Sequence, residues 1–169
     1  EENLNQAFNE AEKFIYHVDE IFSTYKDNSI ISKLKREEIE ISSCSHDVQE
    51  VWELCKKAME LTDGAFNPWL KGFDPSGLVK GWAAQKCGEI FEKYGVENSL
   101  VNAAGDLALR GGLLKDGAVT PWEIGIRNPE IKDEIVESFK INTGAIATSG
   151  SYEKGAHIYD PFTNLIAIG

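Results

Sequence analysis

The sequence has 169 residues, of which 42% are apolar and 27% are charged, and its formal net charge is −11. These values are typical of one globular domain with a substantial core, and they exclude a disordered chain. The acidic balance argues against a non-specific nucleic-acid binder and against adsorption to anionic lipid, because both need clustered Lys and Arg.

The first half of the chain predicts three helices. In residues 3–25 the apolar positions follow the helical three-four spacing: Leu4, Phe8, Ala11, Ile15, Val18, Phe22 and Tyr25. The second helix runs from about residue 47 to 63, with Ser45 as N-cap and Gly64 as the C-terminal glycine. The third runs from about residue 78 to 94, ends at Gly95 and turns inward Val79, Trp82, Ala83, Ile90 and Phe91.

The three cysteines are too few and too scattered for a disulfide framework. Cys55 and Cys87 fall on the apolar faces of predicted helices, where they are expected to be buried small hydrophobes. The Cys44-Ser45-His46 stretch is a weak metal signal that is more often due to chance.

The second half predicts strands. Residues 99–112 form a strand, a Gly-Asp corner and a strand, and residues 121–129 and 134–142 each add one more. Residues 144–161 suggest a short strand, a Ser/Gly loop and a second strand. We therefore predict one α+β domain over residues 1–169, in which N-terminal helices pack on a mixed, largely antiparallel sheet.

Two polar clusters accompany the helices. Tyr25 and Ser29 lie just past the first helix, where a solvated turn is expected. Alternatively, the Tyr25 ring stacks on a planar ligand and the Ser29 hydroxyl forms a hydrogen bond with it. Asp74, Gly77 and Lys80 surround the start of the third helix. A plain turn and a site for an anionic group at the helix N-terminus are about equally consistent with that pattern.

Two more clusters accompany the strands. The small residues of 102–106 fit either a tight strand corner or a place where a ligand approaches the backbone, and their polar members are Asn102 and Asp106 beside Gly105. Hydroxyls gather near Gly150, from Thr148 and Ser149. His157 and Asp160 follow, although a lone His is more often structural and Asp-Pro-x-Thr is an ordinary turn.

The order of these clusters resembles the ApbE family, the FAD:protein FMN transferases. The resemblance rests on five segments in family order, which are FSTYKDNSIISKL, SGLVKGWA, NAAGD, ATSGSYE and HIYDPFT. It covers nearly the whole chain, from about Leu4 to Thr163. Two departures are Ala104, where the family has the first Gly of Gly-Gly-Asp, and Asn164, where it has Gly.

The resemblance implies the chemistry. Family members bind FAD with a divalent metal, usually Mg²⁺, and transfer FMN to a Thr or Ser hydroxyl of an acceptor protein, releasing AMP. By this analogy the Gly77 carbonyl is a metal ligand, and His157 assists deprotonation of the acceptor hydroxyl with Asp160 in support. The implied FAD-binding residues are Tyr25, Ser29, Asp74, Gly77, Lys80, Asn102, Gly105, Asp106, Thr148, Ser149 and Gly150.

The family pattern also includes parts that have no match in these 169 residues. By the resemblance, we expect the family's opening strand to be absent, together with its C-terminal segment, which carries an Asp-x-x-x-Thr/Ala pair that completes the metal site. We therefore expect a fragment of a longer protein, with a reduced member of impaired catalysis as the alternative. One carbonyl alone does not hold Mg²⁺.

Two functions remain open at this point. The first is flavin transfer to an acceptor that carries a Ser-Gly-Ala-Thr-like sequence. The alternative is an FAD-binding module, or an FAD pyrophosphatase that yields FMN and AMP without modifying a protein. Free cysteines and the lack of a visible signal favour the cytoplasm, whereas an exported lipoprotein, and hence membrane attachment, requires that an N-terminal signal was removed.

Overall fold

Four helices precede the strands in the computed structural model, which describes residues 2–131, 133–149, 158–163 and 165–166. They are α1 (Glu2–Phe22), α2 (Ile30–Lys35), α3 (His46–Leu61) and α4 (Ser76–Lys93), with a short 3₁₀ turn at Ile41–Ser43. The three long helices match the sequence prediction, and α2 was not predicted. None of the helices in the described ranges is long and apolar enough to span a membrane.

In the part of the chain that the structure describes, the named strands pair antiparallel. They are β1 (Ser99–Ala103), β2 (Asp106–Arg110), β3 (Leu113–Lys115), β4 (Ala118–Thr120), β5 (Trp122–Arg127), β6 (Ile135–Ile141) and β7 (Gly144–Ile146). Within the described ranges they form a three-stranded sheet in the order β1-β2-β7 and two hairpins, β3-β4 and β5-β6. The predicted α+β architecture is confirmed, although the β3-β4 hairpin was missed and the strands divide among three sheets.

The core lies where α1, α2, α3 and α4 meet. Its buried members share an apolar face on each helix and include Val18, Ile21, Phe22, Ile31, Val48, Val51, Cys55, Val79, Trp82 and Ala83. Trp82 stacks edge-on against Phe22, with ring centroids 5.4 Å apart. The other side of α4 packs on β1 and β2, so this helix joins the helical half to the sheet.

The apolar positions of α1 divide between two surroundings. Ala11, Val18 and Phe22 are buried as their spacing suggests. Leu4, Phe8 and Ile15 instead line an open groove of about 760 Å³ between α1, α4 and β1. A helix that is apolar over more than one face cannot bury all of it against a single layer.

Candidate functional site

The turn between β1 and β2 is a two-residue hairpin loop. Ala103 pairs with Asp106, so Ala104 and Gly105 form the loop. Their φ angles are 54° and 99°, and positive φ at both positions is the mark of a type I′ turn. The Asn102 side-chain oxygen accepts a hydrogen bond from the Gly105 N–H at 2.9 Å, and this bond stabilises the turn.

Asp106 is the centre of the site. It is 8% exposed, and its two carboxylate oxygens bind different segments of the chain. Oδ2 lies 3.0 Å from the Lys80 ammonium of α4, and Oδ1 accepts a hydrogen bond from the Thr148 N–H at 3.1 Å. A buried carboxylate needs such partners because an uncompensated buried charge is costly.

Thr148 completes the contact between strand ends. Its hydroxyl donates to the Gly105 carbonyl at 3.0 Å. Lys80, Asp106, Gly105 and Thr148 therefore form one connected group, which we call the Asp106 junction. The sequence places its members in three separate polar clusters, and the structure brings those clusters together.

The start of α4 is held by its own preceding loop. The Asp74 carboxylate accepts a hydrogen bond from the Ser76 N–H at 3.0 Å, and the Asp74 N–H donates to the Pro68 carbonyl at 2.8 Å. Gly77 and Lys80 are three residues apart on the helix and so share a face. This face of α4 leads from the first turn of the helix to the Asp106 junction.

Gly77 is small for a reason visible in its surroundings. A Cβ at this position would lie 3.1 Å from the Phe66 ring, closer than side chains normally approach. Packing against Phe66 thus explains the glycine without a ligand. The metal-ligand role of the Gly77 carbonyl stays a prediction.

An aromatic group supports the loop before α4. Trp52 lies 4.4 Å from Phe73 between ring centroids, and Trp69 stacks on Phe73 at 5.4 Å. We did not predict this support from the sequence, although the aromatic residues that recur between Phe66 and Phe73 are a visible signal of it. The group fixes the backbone immediately before Asp74.

Asp160 stabilises its own turn. Its carboxylate accepts hydrogen bonds from the Phe162 N–H at 2.8 Å and from the Thr163 hydroxyl at 2.9 Å. The Phe162 N–H and then the Thr163 hydroxyl lower the pKa of Asp160 below its ordinary value of 3.8, so the group is charged at neutral pH. Lys71 lies 4.3 Å above the Tyr159 ring, which brings this turn beside the loop that precedes α4.

Among the described residues, Ser29 and Tyr25 lie apart from the junction. Ser29 is 2% exposed, and its hydroxyl accepts from the Ser32 N–H at 3.0 Å and donates to the Ser23 carbonyl at 2.6 Å, as the N-cap of α2. Tyr25 is 95% exposed, and Ser149 is exposed beside Thr148. Gly150 and His157 lie outside the described residues. Ligand contacts of Ser29 and Tyr25 therefore stay predictions.

The described residues do not make a Mg²⁺ site at the junction. Mg²⁺ in proteins is held by one or two carboxylates together with substrate phosphates and water. Here both oxygens of Asp106 already bind Lys80 and Thr148. In the described ranges, the group of His, Cys, Asp and Glu side chains close enough to share an ion lies elsewhere, at the start of α3.

Comparisons with known proteins agree on one family. The sequence model described as the ApbE family matches residues 2–73 and 71–165. The chain is 35% identical over 100 residues to the FAD:protein FMN transferase of Vibrio cholerae and 32% identical over 99 residues to that of Escherichia coli. Each match covers 53% of this chain but only 29% and 27% of those relatives, so the chain matches less than a third of their length.

Solved structures share the fold. The ApbE protein of Thermotoga maritima superposes with a TM-score of 0.84 at 23% identity, over 98% of this chain and 71% of that one. The flavin transferase ApbE of Vibrio cholerae gives 0.75 at 22% identity, over 98% and 70%. At this identity the two structures support the architecture of the chain rather than the details of its site.

Proposed function

Because the chain belongs to the ApbE family, we propose that this protein transfers the FMN moiety of FAD to a Thr or Ser hydroxyl of an acceptor protein. The acceptor oxygen forms a bond to the FMN phosphorus, the bond from that phosphorus to the bridging oxygen of the pyrophosphate breaks, and AMP leaves with the electron pair. Such phosphoryl transfer depends mainly on positioning and on neutralising charge.

The Asp106 junction is the observation that carries the proposal. It joins three of the segments on which the family resemblance rests, through Lys80, Asp106 and Thr148. Lys80 is held 3.0 Å from a buried carboxylate, while 42% of its side chain stays exposed to solvent. A cation fixed in this way beside a helix N-terminus can hold a phosphate in a defined position.

The proposed proton path involves His157 and Asp160. His157 takes the proton of the acceptor hydroxyl, and the anionic Asp160 lies three residues further on. The acceptor hydroxyl belongs to a protein segment that resembles Ser-Gly-Ala-Thr. These roles rest on the family motif, and the lowered pKa of Asp160 supports them because it keeps the carboxylate charged.

The proposal includes dependence on Mg²⁺, which would supply charge neutralisation at the pyrophosphate. It rests on the family resemblance, and the described residues offer no complete ligand set. Ligands from the FAD phosphates and from further residues are required. Removal of the metal by EDTA is therefore an essential arm of any assay.

Mass spectrometry tests the transfer. The protein is incubated with FAD, Mg²⁺ and a peptide that carries Ser-Gly-Ala-Thr, and the expected result is a gain in peptide mass equal to FMN. EDTA and the His157→Ala change are expected to abolish that gain. FMN and AMP without a modified peptide would contradict the transfer and indicate hydrolysis of FAD.

Lys80→Ala tests the junction separately. It is expected to lower kcat/KM for FAD by about a hundredfold, because a misplaced phosphate loses its reactive geometry. Lys57→Ala is the matched control, since Lys57 is an exposed lysine on α3 away from the junction. Equal activity of the two variants would show that Lys80 does not contribute to the proposed FAD site.

A further inference from the structure

A second cluster of polar side chains lies between α1 and α3. We call it the histidine cluster and define it as His17 of α1 together with His46, Asp47 and Glu50 of α3. His46, Asp47 and Glu50 each offer one ligand atom, and these three atoms lie within 4.8 Å of one another. His17 approaches from the neighbouring helix, with Nε2 3.4 Å from the Asp47 Oδ2.

The geometry pairs each imidazole with one carboxylate. The first pair is His17 with Asp47, and in the second the His46 Nδ1 lies 4.0 Å from the Glu50 Oε2. The position of Asp47 next to His46 at the start of α3, with Glu50 one turn later, places all three on the same end of the helix. The His46 imidazole and the two carboxylates of α3 thus lie close together, and the His17 imidazole of α1 reaches this group through Asp47.

Glu50 is only half satisfied there. Its Oε1 pairs with the Lys86 ammonium at 3.0 Å, but its Oε2 is shielded from solvent and has no hydrogen-bond partner. A shielded carboxylate oxygen without a partner is costly. A cation placed between Glu50 and His46 would supply the missing partner.

The ligand types indicate which cation. Imidazole nitrogen with carboxylate oxygen suits Zn²⁺ and neighbouring transition metals, whereas Mg²⁺ and Ca²⁺ prefer oxygen alone. In a tetrahedral site with metal–ligand bonds of about 2.0–2.1 Å, ligand atoms lie about 3.3 Å apart. His17 and Asp47 are already at 3.4 Å. His46 is 88% exposed at its side chain and can close the remaining distance by rotation.

We propose that the histidine cluster is a binding site for Zn²⁺ or a similar divalent transition metal, with His17, His46, Asp47 and Glu50 as ligands. It is separate from the Asp106 junction. Lys86 at the cluster lies six residues after Lys80 on α4, which is about 9 Å along the axis and on a different face. The ion would link α1 directly to α3.

The charges around the histidine cluster include a lysine that repels a bound cation and carboxylates that attract it. Lys86 faces Glu50 and also lies 3.8 Å from Glu89, so it neutralises part of the negative charge. Its ammonium takes only Oε1 of Glu50, and the three acids Asp47, Glu50 and Glu89 still outnumber it. The cluster therefore keeps a negative balance that favours a cation.

Titration calorimetry tests the site. Metal-free protein without a polyhistidine tag is titrated with Zn²⁺ in chelator-free buffer, and one equivalent is expected to bind. His46→Ala and Asp47→Ala are each expected to weaken Zn²⁺ binding by at least about tenfold, because even partners of metal ligands matter that much. Circular dichroism checks that each variant is folded. The His46→Ala variant is expected to fold normally because the His46 side chain is 88% exposed.

His157→Ala is the matched control because it removes the third histidine of the chain. Zn²⁺ affinity is expected to stay within about twofold of the unchanged protein, since His157 is outside the proposed ligand set. A loss of binding in this variant would assign the ion to the flavin site and overturn the proposal. The proposal also fails if the wild-type protein binds no Zn²⁺, or if a His17→Ala, His46→Ala double variant binds it unchanged.

Two further readouts separate coordination from a simple ion pair. Co²⁺ in the site is expected to show visible absorption bands of tetrahedral coordination, which disappear in the double variant. Zn²⁺ is expected to raise Tm of the wild-type protein, because a ligand that binds only the folded state stabilises it. A hundredfold excess of Mg²⁺ is added as a competitor. Displacement of Zn²⁺ by Mg²⁺ would indicate that only the carboxylates bind the ion, which would contradict the assignment of the histidines as ligands.

Discussion

Ala104 occupies a backbone conformation that favours glycine. Its φ is 54°, and the left-handed region costs an L-residue with a Cβ about 1–2 kcal/mol. Ala104→Gly is therefore expected to raise the free energy of unfolding by about 1 kcal/mol, because the relief of strain exceeds the entropy that glycine loses on folding. Urea denaturation measures the difference.

Ala103→Gly is the matched control for that change. Ala103 is the last residue of β1 and pairs with Asp106. Glycine in a strand costs about 0.5–1 kcal/mol, so this neighbour is expected to shift stability in the opposite direction. Two changes of the same sign would show that the loop conformation does not decide the effect of Ala104→Gly.

The three thiols differ in reactivity. Burial, and secondarily the charge of Asp74, raise the pKa of Cys55 to about 12, and burial also raises the pKa of Cys87 and Cys44. Only Cys44 is partly exposed. Since the thiolate is the reactive form, a thiol-alkylating reagent at pH 8 is expected to modify Cys44 first and the other two cysteines only after unfolding. Peptide mapping by mass spectrometry identifies the sites, and equally fast labelling of Cys55 would show that the core opens.

At the level of elements, α1 and the end of α4 are joined by a polar contact. Glu10 accepts a hydrogen bond from the Tyr94 hydroxyl at 2.6 Å and from the Lys93 ammonium at 2.9 Å. These two bonds, Tyr94 first, lower the pKa of Glu10 below 4.5. A lowered pKa in the folded state means that the contact stabilises above the unfolded pKa and is lost as the pH falls through the folded one.

Glu10→Gln tests this contact through pH. The Tm of the variant is expected to lie below that of the wild type at pH 7. The difference should shrink as the pH falls through the lowered folded-state pKa of Glu10, because the carboxyl group then becomes protonated in both states. Glu12→Gln on the same helix is the control. A difference in Tm that persists unchanged at low pH would mean that packing, not charge, accounts for the effect.

The helices and strands were predictable to different degrees. Long periodic segments predicted α1, α3 and α4 to within a few residues, because helices of 21, 16 and 18 residues repeat the apolar spacing over several turns. The six residues of α2 are too few for a period, and its N-cap Ser29 was a candidate ligand contact as well as part of a solvated turn in the sequence. The β3-β4 hairpin was missed although Asp116-Gly117, with φ of 51° and 79°, is a strong two-residue hairpin signal.

For the whole molecule, the sequence predicted which segments matter but not how they meet. Motif order identified Lys80, Asp106 and Thr148, which the fold brings together across three elements. Contacts between residues so far apart in the chain depend on the packing of α4 against β1 and β2, which no local pattern contains. The support of Gly77 by Phe66 was hidden for the same reason.

The charge of the whole molecule leads to a test of how FAD, the proposed substrate, reaches the site. The chain carries a formal charge of −11, so it repels an anionic nucleotide at long range, while Lys80 and the α4 N-terminus attract it only nearby. Raising the ionic strength from about 0.01 to 0.15 M shortens the screening length from about 30 to 8 Å. The association rate constant of FAD is therefore expected to rise by about two- to threefold, as measured by stopped-flow flavin fluorescence. Riboflavin, which carries no phosphate, should show no such change. A rate constant that falls with salt would mean that the local positive field at Lys80 outweighs the charge of the rest of the molecule.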